Sequence, residues 1–181
     1  AVAHLRRQRA LLLEQRDRVD GMVAAIDKEL EARAMGINLT PEEQLEVFGT
    51  DKVGGEWADE AEQRWGGTGP YEESRRRTAT YTKDDWTRIK AETDANIAAF
   101  AALLRVGAAA DGPDAMDQAE RHRQHISRHF YDCGYLMHRG LADMYLADER
   151  FTATYDGVEP GLAQYVHDAI HANATHHEPA S

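Results

Sequence analysis

A single cysteine, Cys133, occurs in 181 residues. One thiol excludes an internal disulfide framework and suits a reducing, cytoplasmic setting. Apolar runs are only a few residues long, so no membrane span is expected. The first residues are basic, but no apolar segment follows them, so no secretory signal is read there. Prolines number five, and Pro41, Pro70, Pro113 and Pro160 stand where helices are expected to open, the position that tolerates a missing N–H. No alternating strand pattern and no internal repeat is found. Basic residues are outnumbered, 21 against 32 acidic, for a net charge of −11. Residues 1–34 are close to neutral, so the acid excess lies in the body, which phosphate backbones would repel. Apolar residues at 42% and charged residues at 29% mark a folded globular chain. The chain begins at Ala1 without methionine, as an excerpt of a longer protein would.

Residues 3–34 read as one long helix rich in Ala, Leu, Glu, Gln and Arg. Leu5, Leu12, Val19 and Ile26 recur every seven residues, and Val2, Val23 and Leu30 fall at companion positions interrupted by Arg9 and Arg16. A seven-residue stripe favours a supercoil, so 1–34 is expected to be a dimerisation coiled coil; the alternative is a helix packed on its own domain. Residues 35–40 form a break. Thr40-Pro41-Glu42-Glu43 is a helix start with a capping box. Within 49–81, Gly54-Gly55 and Gly66-Gly67 flank a short helix carrying Trp57 and Trp65, and a second short helix follows Pro70. Short helices between glycine pairs stand poorly alone, so 41–81 reads either as a mobile lid or as a peripheral hairpin. From 82 to 174 the stripes predict a helical core. One helix reaches about Val106. The next opens at Pro113, carries the histidines and ends near Cys133-Gly134. A helix of about ten residues follows. Asp148 to Gly157 is read as a loop or short turn, and Pro160 starts the last helix. The fold class is all-α.

Four of the nine histidines, His122, His125, His129 and His138, cluster with Cys133 between Asp117 and His138. The first three share one helical face, with Cys133 one turn beyond His129. A thiol beside an imidazole permits nucleophilic chemistry. Turnover also needs an orienter and an oxyanion hole, and a helix C-terminus raises a thiol pKa; no enzyme is expected, whereas stoichiometric capture of an electrophile requires only an accessible thiol near a base. Metal or haem binding is the alternative, a metal- or haem-responsive sensor using this histidine-rich helix. Side chains at i, i+3 and i+7 spread over ~10 Å of axis, so donors from another helix are needed, such as His167 and His171. A third reading makes the histidines part-exposed helix residues and Cys133 a small core residue. Tyr131, Tyr135, Tyr145, Trp86 and Phe130, with the lid tryptophans, fit either an apolar ligand cleft or ordinary core.

The run His122-Arg123, Ile126, His129-Phe130-Tyr131-Asp132-Cys133-Gly134-Tyr135, Met137-His138 resembles the antibiotic-recognition (TipAS) domain of TipA-type regulators of the MerR family. MGINLTPEE at 35–43, YTKDDW at 81–86, DERFT at 148–152 and PGLA-x-Y-x-x-x-AI-x-ANA at 160–174 agree with it. The resemblance covers Met35 to about Ala174. Phe130, Arg139 and His125 stand at positions expected to differ among members. It implies a globin-like all-α domain that binds thiopeptide antibiotics in a cleft, with no cofactor. It implies that Cys133 adds to a dehydroalanine of the antibiotic, and that Trp86, His129, Tyr131, Asp132, Tyr135, His138 and the lid residues Trp57 and Trp65 contact ligand. Residues 1–34 resemble the dimerisation helix that leads to a winged-helix DNA-binding domain. A homodimer is therefore implied, with promoter DNA and RNA polymerase reached only through that missing domain.

Overall fold

The computed structural model describes residues 2–34, 37–49 and 63–178. Two compact units are present, residues 1–83 and 84–181. Among the described residues every regular element is a helix.

In the first unit, helix α1 runs Val2–Ala34 without a break. Its seven-residue stripe faces solvent: Leu5, Leu12, Val19 and Ile26 are all exposed, as are Val23 and Leu30. The helix persists through Gly21, which costs about 1 kcal/mol relative to alanine. Helix α2, Pro41–Phe48, starts as its sequence dictates. The Glu43 amide donates to Thr40 Oγ1 at 3.2 Å, and the Thr40 amide donates to the Glu43 carboxylate at 2.9 Å. Two of the three orphan donors of the helix start are thereby satisfied, since Pro41 has no N–H. Gly49 ends the helix at φ 78°, a conformation that favours glycine. Buried Gln44 turns its amide back onto the Leu39 carbonyl at 3.0 Å. Helix α3 spans Gly69–Thr78, with Pro70 in its first turn and Arg75, Arg76 and Arg77 in its last. That order matches the helix dipole. The short helix expected between the two glycine pairs, with Trp57, falls mostly outside the described residues.

The second unit is built from α4 (Lys83–Arg105, starting at the boundary), α5 (Pro113–His129), α6 (Tyr135–Ala147), α7 (Glu149–Asp156) and α8 (Leu162–His177). Helix α8 is the centre. It packs on α5, α6 and α7, and Leu162, Val166, Ala169, Ile170 and Ala174 are all fully buried. Alanines 101, 115, 119 and 142 line the facing surfaces, and Phe100 and Tyr145 fill the space between them. Small residues let the helix axes approach, while each large side chain contributes roughly 1.5–3 kcal/mol by leaving water. Gly161 enters α8 at φ 82°, and the Ala163 amide at the helix start donates to Asp156 at 2.9 Å.

Two expectations are corrected here. Residues 148–157 are not a loop: Asp148 accepts from the Arg150 amide at 3.0 Å and starts α7. The β-branched Thr152 and Thr154 conceal the helix in the sequence, but their hydroxyls bond back to the Tyr145 and Arg150 carbonyls, and Tyr155 is buried. The histidine helix, in turn, ends at His129 and not at Cys133-Gly134. Phe130 leaves helical geometry, and Gly134 becomes the N-cap of α6.

Candidate functional site

That early stop decides the surroundings of Cys133. Residues 130–134 form a turn joining α5 to α6, and Cys133 stands just before an N-terminus, not at a helix C-terminus. The Cys133 amide donates to Ser127 Oγ at 3.0 Å. Arg123 Nη1 donates to the Cys133 carbonyl at 2.6 Å. The side chain is fully buried, and its thiol lies 3.9 Å from the Gly134 carbonyl. Burial pushes the thiol up to about 11 against the pull of Arg123, with Asp132 and Glu120 adding to the rise. The resting thiol is therefore neutral and covered, unlike the accessible thiol expected beside a base.

The histidines do not share one environment. His125 and His129 turn to α4, where His129 Nε2 lies 2.7 Å and His125 Nδ1 3.1 Å from the same Glu92 oxygen. Both rings are buried. The His129 hydrogen bond holds the Glu92 carboxyl below its usual range, against desolvation and with help from His125. Thr93 Oγ1 lies 3.0 Å from His125 Nε2. His122 instead faces the core and reaches His138 of α6, Nδ1 to Nε2, at 2.8 Å.

His138 is fully buried, and among the described residues its Nδ1 has no hydrogen-bond partner. Desolvation drives His138 down to about 3, with His122 and Arg123 adding. His122 falls to about 4 for the same first cause. Both are neutral near pH 7. The least costly arrangement has the His138 Nε2–H donating to His122 Nδ1, which leaves a bare lone pair, not an N–H, unpaired in the core. The i, i+3, i+7 face thus splits. His125 and His129 form a donor trio with Glu92, while His122 and Cys133 do not join it. Asp143, His167 and His171 form a second trio.

A side-chain cluster that the motif reading missed holds the turn in place. Arg123 clamps Glu120 through two nitrogens, at 3.0 and 2.6 Å. Burial would raise the Glu120 carboxyl, but hydrogen bonds from Arg123, Asn173 and Gln124 hold it at about 2. The Arg123 guanidinium also lies 4.5 Å over the Tyr135 ring, and that ring stacks on His177 at 4.9 Å. The Glu120–Arg123 spacing was the available signal, an i, i+3 pair of opposite sign. Buried Asn173 gave none.

Of the remaining residues expected at the site, Trp86 is buried and lies 6.4 Å from Phe130. Tyr131 is half-buried, and desolvation pushes its phenol up to about 12. Asp132 is exposed. The second unit therefore brings Trp86, Phe130, His125 and His129 to one side of the 130–134 turn, with ring centroids no more than 6.4 Å apart from neighbour to neighbour. Tyr135 and Arg123 hold another side. Trp65 belongs to the first unit and is exposed. Trp57 lies outside the described residues.

The second unit thus gathers aromatic, imidazole and carboxylate groups round one turn, with a covered thiol within it. A family model of the TipAS antibiotic-recognition domain matches residues 57–173. The chain is 51% identical over 177 residues to the HTH-type transcriptional activator TipA of Streptomyces coelicolor, covering 98% of this chain and 70% of that protein. It is 30% identical over 179 residues to the HTH-type transcriptional activator mta of Bacillus subtilis, 97% of this chain and 68% of that one. TipAS of Streptomyces lividans, solved in complex with nosiheptide and described as part of a thiopeptide antibiotic multidrug resistance system, superposes at a TM-score of 0.72 with 52% identity, over 79% of this chain and 99% of that one. The chain belongs to the TipAS antibiotic-recognition domain family, and is of the TipA type of transcription regulator.

Proposed function

We propose that this chain is the ligand-sensing part of a drug-responsive transcription activator, and that it binds and sequesters thiopeptide antibiotics. The observation that carries the reading is the 52% identity to a TipAS domain solved with nosiheptide. Trp86, His129, Tyr131, Asp132, Tyr135 and His138 are the proposed ligand residues of the second unit, with Trp57 and Trp65 from the lid. Residues 1–34 form a homodimeric coiled coil. The exposed stripe of α1 supports this, because an apolar seam in water has nothing to gain except a partner. Promoter DNA and RNA polymerase are reached through a helix-turn-helix domain of the whole regulator and not through this acidic chain. The setting is cytoplasmic; no described helix is long and apolar enough to cross a membrane.

Cys133 captures the ligand in a second step. Its thiolate sulfur adds to the β-carbon of a dehydroalanine, the electron pair of the double bond moves to the α-carbon, and that carbon takes a proton. One thioether forms, nothing leaves, and no oxidant is needed. Burial is the largest cause of the thiol's elevation. Ligand that opens the 130–134 turn removes that cause and leaves Arg123 and the N-terminus of α6 to favour the thiolate. Ligand binding thus precedes the covalent step and activates it.

Intact mass after incubation with a dehydroalanine-bearing thiopeptide, beside Cys133→Ser, tests both steps. A gain of one ligand mass in the native chain alone is expected. No gain with a raised melting temperature means reversible binding and a spectator thiol. The absence of both effects would sink the proposal.

A further inference from the structure

We propose that Asp143, His167 and His171 form a Zn²⁺ site on the solvent side of α6 and α8. His167 and His171 are one turn apart on α8, with ring centroids 4.3 Å apart. Asp143 of α6 presents one oxygen to both, 3.3 Å from His167 Nε2 and 2.8 Å from His171 Nε2. These are two borderline nitrogen donors and one carboxylate from two packed helices, a set and geometry that zinc accepts with water completing the tetrahedron. Ligand atoms at roughly 2.0–2.2 Å from one zinc ion stand about 3.4 Å apart, and the three ligand atoms here all lie within 4.8 Å of one another.

A second observation makes this more than a surface ion pair. Both nitrogens of His167 face carboxylates: Nδ1 lies 2.8 Å from Asp168 Oδ1. Asp168 is itself held by the Gln164 amide at 2.8 Å. A neutral imidazole has one N–H. With that proton donated to Asp168, the Nε2 lone pair points at Asp143, and the ring must either take a second proton or share a metal ion with that carboxylate. The carboxylate–histidine pair is also the outer-shell arrangement that fixes a zinc-binding tautomer. The trio at Glu92 lacks this arrangement, because His125 places its outward nitrogen on Thr93, and the Arg128 guanidinium lies 3.7 Å from the Glu92 oxygen. Side chains at the proposed site are open to water, 63% exposed at Asp143 and 37% at His171, so an ion has an entry path. Bound zinc would staple α6 to α8 and couple metal concentration to the stability of the second unit. The proposal is independent of antibiotic binding.

The test is calorimetric titration of the metal-free full chain with Zn²⁺, alongside thermal unfolding with and without the metal. One ion per chain and an upward shift of the unfolding midpoint, reversed by a chelator, are expected. His171→Ala and Asp143→Asn should each weaken binding at least tenfold and remove the shift, while keeping the helical circular dichroism of the parent. Asp168→Asn should weaken binding less, and Glu92→Gln should leave it unchanged. No saturable binding in the parent overturns the proposal. So does binding that survives His171→Ala and disappears in Glu92→Gln.

Discussion

Replacing His138 with leucine should remove part of the acid sensitivity of the fold, by an amount the geometry fixes. His138 is fully buried, and its pKa in the native state is about 3. In the unfolded chain it returns to about 6.5. A base held neutral by folding contributes its full stability above the unfolded pKa and loses it as pH falls through 6.5 toward the native value. Between pH 7 and pH 5 the unfolded chain gains most of one proton at His138, and the native chain gains almost none. That difference removes about 2 kcal/mol of stability. His122, at about 4, acts in the same direction, so the pair removes up to about 4 kcal/mol. The assay is urea unfolding followed by circular dichroism at both pH values, for the parent and for His138→Leu. The substitution alters packing at both pH values alike, so the informative quantity is the loss on acidification, which should be about 2 kcal/mol smaller in the variant. Equal losses in the two proteins, or a parent indifferent to pH between 7 and 5, would refute the view that folding holds His122 and His138 neutral.

Arg123→Ala should cost about 2–3 kcal/mol and lower the melting temperature, because it leaves the largely covered Glu120 carboxylate without its clamp and the Cys133 carbonyl without its donor; a shift within error would show the clamp to be decorative. With a thiol pushed up to about 11, native Cys133 should react with iodoacetamide at pH 8 about a hundredfold or more slower than the same chain in denaturant, and a native rate equal to the unfolded one would contradict its burial. Light scattering should give a dimer for the whole chain and a monomer after Leu12→Arg with Val19→Arg; an unchanged mass would mean that the α1 stripe is not a dimer seam.

Where local chemistry sets structure, the sequence was sufficient. The Thr40–Glu43 capping box, the arrest at Gly49 and the prolines opening α3 and α5 all follow from backbone donors that only certain residues can satisfy. The inward stripe of α8 followed from periodicity alone. What escaped depended on tertiary contact. No local signal stops α5 at His129 in place of continuing to Cys133, since Gly134 terminates helices as readily as it starts them. One misplaced helix end carried the predicted site with it: Cys133 moved from the face of His129 to a turn, and from a helix C-terminus to an N-terminus. The threonines of α7 hid a helix that Asp148 and buried Tyr155 secure. The division of the histidines between Glu92 and His138 could not be foreseen either, because both partners come from other helices.

The proposed recognition of a thiopeptide is open to calorimetric titration of nosiheptide into the full chain. Saturable binding at one site per chain is expected, with a heat that persists in Cys133→Ser if capture follows recognition as proposed. Absence of any saturable heat, at concentrations where nosiheptide and the folded chain both remain soluble, would contradict it.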